Sequence, residues 1–159
     1  MLTANEKVFL ERAIALSKQG MESGYGGPFG CVIVKDGQVI GEGNNRVTSS
    51  NDPTAHAEVV AIREACKQLG TYQLDGCDIY TSCEPCPMCL GAIYWARPRK
   101  VIYANTREEA SAIEFDDDFI YREISAAIGD RRIPFIHVPD DGAKAVFTAW
   151  KNWSGKKKY

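Results

Sequence analysis

Residues 78–104 compress a strand, a helix and a second strand into one short stretch. Asp78-Ile79-Tyr80-Thr81 reads as a buried strand, helical residues follow from about Cys86 to Trp95, and Lys100-Val101-Ile102-Tyr103-Ala104 reads as another strand. Two strands joined through a helix in this way imply a right-handed parallel crossover. The chain is therefore committed to a layered α/β architecture.

The flanking segments extend that frame. Thr3-Ala4-Asn5-Glu6 has capping-box spacing and opens a helical pattern through Val8, Phe9, Ala13, Leu16 and Met21. The glycines and Pro28 of Gly24–Gly30 require a loop. Cys31–Val34 and Gln38–Ile40 flank Asp36-Gly37, the dipeptide favoured in type I′ hairpin turns. After a polar loop from Asn44 to Asp52, helix spacing runs from His56 to Gly70, where glycine can cap the end. Beyond residue 105 the pattern predicts a short helix over Phe119–Ile124, a strand over Phe135–Val138 and a last helix over Ala143–Trp153. The expected fold is a three-layer α/β/α sandwich with a mixed, mostly parallel central sheet. A chain of 159 residues can form one such domain and bury roughly two-thirds of its unfolded surface.

Charge and composition exclude several roles. The net charge of −2 disfavours a nucleic-acid partner, because phosphate neutralisation needs a broad basic surface. Lys156-Lys157-Lys158 is the one basic cluster and reads as a solvated tail. No apolar run approaches the roughly 18 residues that span a membrane, and the start MLTANEKVFL lacks a signal-peptide pattern, so a cytoplasmic protein is expected. Three of the six cysteines fall between residues 83 and 89, which in a reducing compartment points to metal or redox chemistry.

Both chemistry-bearing motifs sit where a helix begins. His56 is placed in the first turn of one helix, and Cys86 and Cys89 in the first turn of another, three apart and so on one face. One imidazole and two thiolates suit zinc, and three protein ligands leave a fourth position for water, the mark of a catalytic site. Cys83-Glu84-Pro85-Cys86 is a second C-x-x-C. Cys86 and Cys89 are preferred because Pro85 directly precedes them and they fall inside the helix, with Cys83 a buried neighbour. Glu58 lies about 200° around a helix from His56, so both can serve one site only if the helix points its N-terminus into it. A glutamate beside an acidified water can take its proton and deliver it to a leaving group.

Together these residues form the H-x-E…P-C-x-x-C signature of zinc deaminases. The chain resembles the cytidine-deaminase-like superfamily, and within it the bacterial guanine deaminases. The likeness extends over GGPFGCVIVKDG, TSSNDPTAHAEVVAIREACK, YTSCEPCPMCLGAIYWARP and FDDDFIYREI. The choice of guanine rests on FDDDF and on the aromatic end at Tyr159. The resemblance implies a cytidine-deaminase-like fold and hydrolytic deamination of guanine to xanthine and ammonia, a step of purine catabolism. It implies one zinc per subunit on His56, Cys86 and Cys89, with Glu58 as the proton carrier. For the base it implies Phe29 (stacking), Asn45 (hydrogen bonds to the ring), Asp117 (accepting from a ring N–H), Trp95 as a further substrate contact, and Tyr159 closing the pocket. It also implies a homodimer in which the segment from about 140 to 159 is exchanged. Choosing Asp117 over Asp116 or Asp118 is a matter of register. Guanosine or another aminopurine is the alternative substrate, followed by adenosine in tRNA and by a non-catalytic zinc module.

Overall fold

The computed structural model describes residues 1–115 and 117–159. They form two compact units, Met1–Asp118 and Phe119–Tyr159. The first contains α1 (Ala4–Glu22), β1 (Gly30–Lys35), β2 (Gln38–Asn44), α2 (Val47–Ser50), α3 (Ala57–Leu69), β3 (Cys77–Cys83), α4 (Pro87–Ala96), β4 (Lys100–Asn105) and α5 (Arg107–Ser111). The second contains α6 (Asp118–Ser125), whose first residue ends the preceding unit, a 3₁₀ turn (Ile128–Asp130) and α7 (Asp141–Asn152).

Local signals act as expected in the first unit. Thr3 and Glu6 close a capping box at the start of α1. Asp36 and Gly37 take φ of 50° and 76°, the left-handed pair that a type I′ turn requires. Gly70 caps α3 at φ 65°.

The sheet order is β2-β1-β3-β4. It is mixed, but β1 runs antiparallel to both neighbours and only β3 and β4 are parallel. The expectation of a mostly parallel sheet is corrected here: the hairpin puts β1, not β2, beside β3, so two of the three pairings are antiparallel. Strand alternation separates two cores. Cys31, Ile33 and Ile79 face Ala57, Ala61 and Ala65 of α3 and Ile93 and Ala96 of α4. Val32, Val34 and Tyr80 face Ala13, Phe9 and Leu16 of α1. Helices thus cover both faces, giving the three layers.

β2 runs four residues further than the hairpin pattern predicts. Gly41 and Gly43 weaken strand propensity, yet both serve close helix packing. A Cβ on Gly43 would lie 2.2 Å from the Ala57 carbonyl oxygen, and one on Gly41 would lie 2.6 Å from that of Ala61. The small residues of α3 and β2 therefore bring two backbones together.

In the second unit, α6 and α7 agree with the sequence pattern, but among the described residues 135–138 form no strand. Pro134 and Pro139 bracket that segment and remove donors a ladder would need. Its apolar residues stay exposed, as do Val146 and Phe147 along α7 and Trp153 at its C-cap, with Phe147 81% exposed.

Gly43→Ala is expected to push α3 off the sheet, because the clash is with backbone. A loss of about 1–3 kcal/mol is expected by chemical denaturation, accompanied by weaker zinc binding, since Ala57 lies between His56 and Glu58. Unchanged midpoint and zinc content would refute this account of the packing.

Candidate metal centre and base pocket

Register explains why two distant motifs meet. Gly43 pairs with Cys31, and Cys31 pairs with Thr81, two residues before the end of β3. The start of α3 packs over Gly43, and α4 begins four positions after the last residue of β3. Both helix N-termini thus open at the same end of the sheet.

His56 and Cys86 stand one position earlier than their sequence placement. Each is the N-cap of its helix, with extended backbone at φ −68°, ψ 155° and φ −64°, ψ 168°. Only Cys89 lies within a first turn. The N-cap conformation removes the angular difficulty with Glu58, because His56 is not on the helical wheel at all. Pro87 at the first position of α4 fixes that start.

The His56 Nδ1 atom lies 3.5 Å from Cys86 Sγ and 3.5 Å from Cys89 Sγ. Tetrahedral zinc with ordinary bonds of about 2.0 Å to nitrogen and 2.3 Å to sulfur puts such ligands about 3.5 Å apart. The donor set therefore fits zinc in both chemistry and spacing, and these three residues form a metal-competent group. Cys83 stays outside it, its thiol turned to the Thr106 carbonyl oxygen at 3.7 Å. Burial pushes that thiol up to about 11, with the charge of Glu58 adding.

The ligands share protons. The Cys86 sulfur is held down to about 4, first by the hydrogen bond from Cys89 and then by His56. Cys89 is correspondingly pushed up, by that same contact and by burial. Contact with the Cys86 sulfur holds the His56 imidazole up, and the carboxylates of Glu58 and Asp117 reinforce it. Zinc takes both sulfurs as thiolates and the imidazole neutral, so its binding releases protons.

Glu58 is 6% exposed, and one carboxylate oxygen lies 3.4 Å from Cys89 Sγ. Burial raises its pKa, shifting it toward the range where a carboxyl both accepts and returns a proton.

A second set of residues stands beside this group. Asn45 is 5% exposed, and its Oδ1 accepts from the Gly27 N–H at 3.3 Å and the Val47 N–H at 3.1 Å. The Asn45 N–H donates to the Phe29 carbonyl at 3.0 Å. The Phe29 ring meets Phe115 edge-on, with centroids 4.9 Å apart at 89°. Asp117 is near enough for its charge to act on His56, and with Arg107, Glu108, Ser111 and Asp118 it lines a cleft of about 320 Å³. Asp116 lies outside the described residues. Trp95 sits near the far end of α4 and is 62% exposed, so the structure does not bring it to the zinc ligands. Tyr159 belongs to the second unit. Sequence reasoning gave Phe115 no role; an aromatic beside an acidic run carries no signal that separates a packed ring from a surface one.

Fold and ligand set define a mononuclear zinc site of the hydrolytic kind. The profile of the cytidine and deoxycytidylate deaminase zinc-binding region matches residues 3–105, and the chain belongs to that family of zinc-dependent deaminases. It is 59% identical to guanine deaminase of Bacillus subtilis (strain 168) over 155 residues, covering 98% of this chain and 99% of that one. The crystal structure of guanine deaminase from Bacillus subtilis superposes with a TM-score of 0.95 at 57% identity, covering 99% of both chains. A tRNA-specific adenosine deaminase of Aquifex aeolicus is 43% identical over 99 residues, covering 62% of this chain and 65% of that one.

Serine at position 86 or 89 is expected to abolish stoichiometric zinc, whereas Cys83→Ser retains about one zinc per chain. Metal analysis of the purified variants measures this directly. Loss of zinc from the Cys83 variant would redraw the ligand set.

Proposed function

We propose that this deaminase converts guanine and water to xanthine and ammonia. The observation that carries the chemistry is the buried Glu58 carboxyl beside the His56, Cys86 and Cys89 group. Support for guanine comes from similarity to a guanine deaminase that runs through the C-terminal third, where the match to the tRNA-specific enzyme covers only 62% of the chain. The net charge of −2 also speaks for a small substrate over RNA.

On this reading His56, Cys86 and Cys89 hold zinc, which when bound acidifies water toward neutrality. Glu58 accepts a proton from the attacking water and passes it to N3 as the C2–O bond forms. It then carries the remaining hydroxyl proton to the exocyclic amine, which leaves C2 as ammonia. Protons balance, and Glu58 ends as it began.

Base recognition follows donor and acceptor bookkeeping. Two backbone donors occupy Asn45 Oδ1, so Asn45 offers its amide N–H groups to ring acceptors. Asp117 accepts from a ring N–H. Where that nitrogen would carry ribose in the nucleoside, guanosine loses the bond and the free base is preferred. Each buried group left unpaired by a wrong base costs about 1–3 kcal/mol. Phe29 supplies a stacking face. The position of Trp95 gives it no comparable support as a base contact.

The one catalytic domain works as a homodimer, with the segment from about 140 to 159 packed on the neighbour and Tyr159 closing the neighbour's pocket. Val146, Phe147 and Trp150 of α7 and Trp153 at its C-cap support this: they leave one apolar stripe exposed. No helix among the described residues is long and apolar enough to cross a membrane. Thiolate ligands that must stay reduced suit the cytoplasm.

An ammonia-release assay of the zinc-loaded enzyme on guanine, guanosine, adenine and cytosine tests the substrate; guanine is expected to lead, and equal turnover of guanosine would overturn it. Glu58→Gln is expected to keep zinc and fold while lowering kcat by about 10² or more. Subunit exchange tests the swap. Glu58→Gln and Tyr159→Ala proteins, each inactive alone, should recover about a quarter of wild-type activity once mixed dimers form. Mixed dimers without activity would place Tyr159 elsewhere.

A further inference from the structure

Phe115 packs edge-on against Phe29, and the reaction scheme leaves it without a task. Its placement is built by several features. The chain leaves α5 and reverses at Glu114, which holds φ 71°, a left-handed conformation uncommon for a residue with a side chain. Two backbone bonds hold the reversal: Glu114 N–H to the Ser111 carbonyl at 3.0 Å and Phe115 N–H to the Ala110 carbonyl at 3.1 Å. The reversal lays the Phe115 ring over Gly27 and edge-on to Phe29. The fit is close. A Cβ on Gly27 would lie 2.7 Å from Phe115 Cζ and 3.0 Å from Phe29 Cε2. Backbone strain of this kind persists where surrounding structure determines it, and it concentrates at functional sites.

Phe29 is partly buried and also packs against the core shared by β1, β3, α3 and α4. It follows Pro28 in a glycine-rich loop, with its N–H on the Gly27 carbonyl at 2.8 Å and its carbonyl on the Asn45 N–H. These bonds fix its backbone but leave the ring's angle to packing. Packing on that core sets one side of the ring, and the edge-on contact with Phe115 sets the other.

We infer that Phe115 is a positioning residue for base binding, holding the Phe29 ring at the angle from which it stacks on the substrate. The inference rests on the proposal that Phe29 is the stacking face. Phe115 acts through Phe29, so its removal weakens binding of the ring while leaving proton transfer at Glu58 unchanged. The same contact also anchors the chain two residues before Asp117.

The test is a double-mutant cycle in the zinc-loaded enzyme with steady-state kinetics on guanine. Phe115→Leu is expected to raise KM about five- to tenfold with kcat within about twofold, and Phe115→Tyr, which keeps the ring, to restore wild-type KM. Phe29→Leu raises KM at least as much, and the double variant is no worse than Phe29→Leu alone. Losses that multiply in the double variant would overturn the inference, as would an unchanged KM in Phe115→Leu. A fall in kcat with KM unchanged would also overturn it. Zinc content and Tm are measured on every variant; if Phe115→Leu loses either, Phe115→Met takes its place in the cycle and the same ratios decide. A wild-type enzyme inactive on guanine sinks the substrate assignment alone, and the cycle then runs on whichever aminopurine it deaminates.

Discussion

The site depends on two helix starts being held at one end of the sheet, and different forces hold them. α4 is placed by connectivity, because its first residue lies four positions after the last residue of β3. α3 has no such tether. Its start is fixed by contact of its backbone with Gly43 of β2, and its middle by contact with Gly41, where no side chain could be accommodated. One ligand and the carboxylate thus depend on packing, and the two sulfurs on chain geometry. The 3.5 Å spacing between imidazole and thiols is where these two independent constraints agree.

Electrostatics follow from that convergence. Helix N-termini present unpaired N–H groups that favour anions, and two of them open toward two sulfurs and a carboxyl. Even so, the group has more acid than the helix ends can charge. Cys86 is held as the stronger acid, whereas burial drives Glu58 and Cys83 the other way. A divalent cation held by His56, Cys86 and Cys89 would reconcile this set by taking two thiolates, and on the proposed reading would free Glu58 to exchange a proton without repelling a neighbouring charge. The family's use of zinc is therefore legible in the acid–base character of the residues as well as in their spacing.

The sequence made the frame readable wherever a local rule was strong. The capping box at Thr3, the Asp36-Gly37 turn, the Gly70 cap and the strand-helix-strand stretch each carry a local mechanism, and each formed. The zinc ligands were legible for a different reason, since C-x-x-C and H-x-E hold their spacing in any fold. What could not be read depends on contacts between distant residues. Gly41 and Gly43 looked like the end of a strand because the helix that needs them is encoded later in the chain. β1 took the central position because of a hairpin choice that patterning does not resolve. Residues 135–138 had strand composition without a partner to pair with, and the flanking prolines outweighed it. Phe115 was read only as the first residue of FDDDF, because an edge-on ring contact leaves no periodic trace.

The metal ligands and part of the proposed base contacts lie in different parts of this chain. The matched family region ends at residue 105, with the metal ligands and Glu58 inside it. Phe115, Asp117 and Tyr159 lie beyond it, and only Phe29 and Asn45 of the proposed base contacts lie within. A deaminase with the same first 105 residues and a different continuation would keep its water-activating group and change what it admits. That division has a physical basis. Proton transfer tolerates little change in the distance between carboxyl and metal ligands, so those groups sit on the caps and first turns of two helices fixed by backbone packing and chain geometry. Substrate choice needs only a few directed contacts, which a chain reversal such as that at Glu114 can bring to the rim without disturbing the sheet beneath.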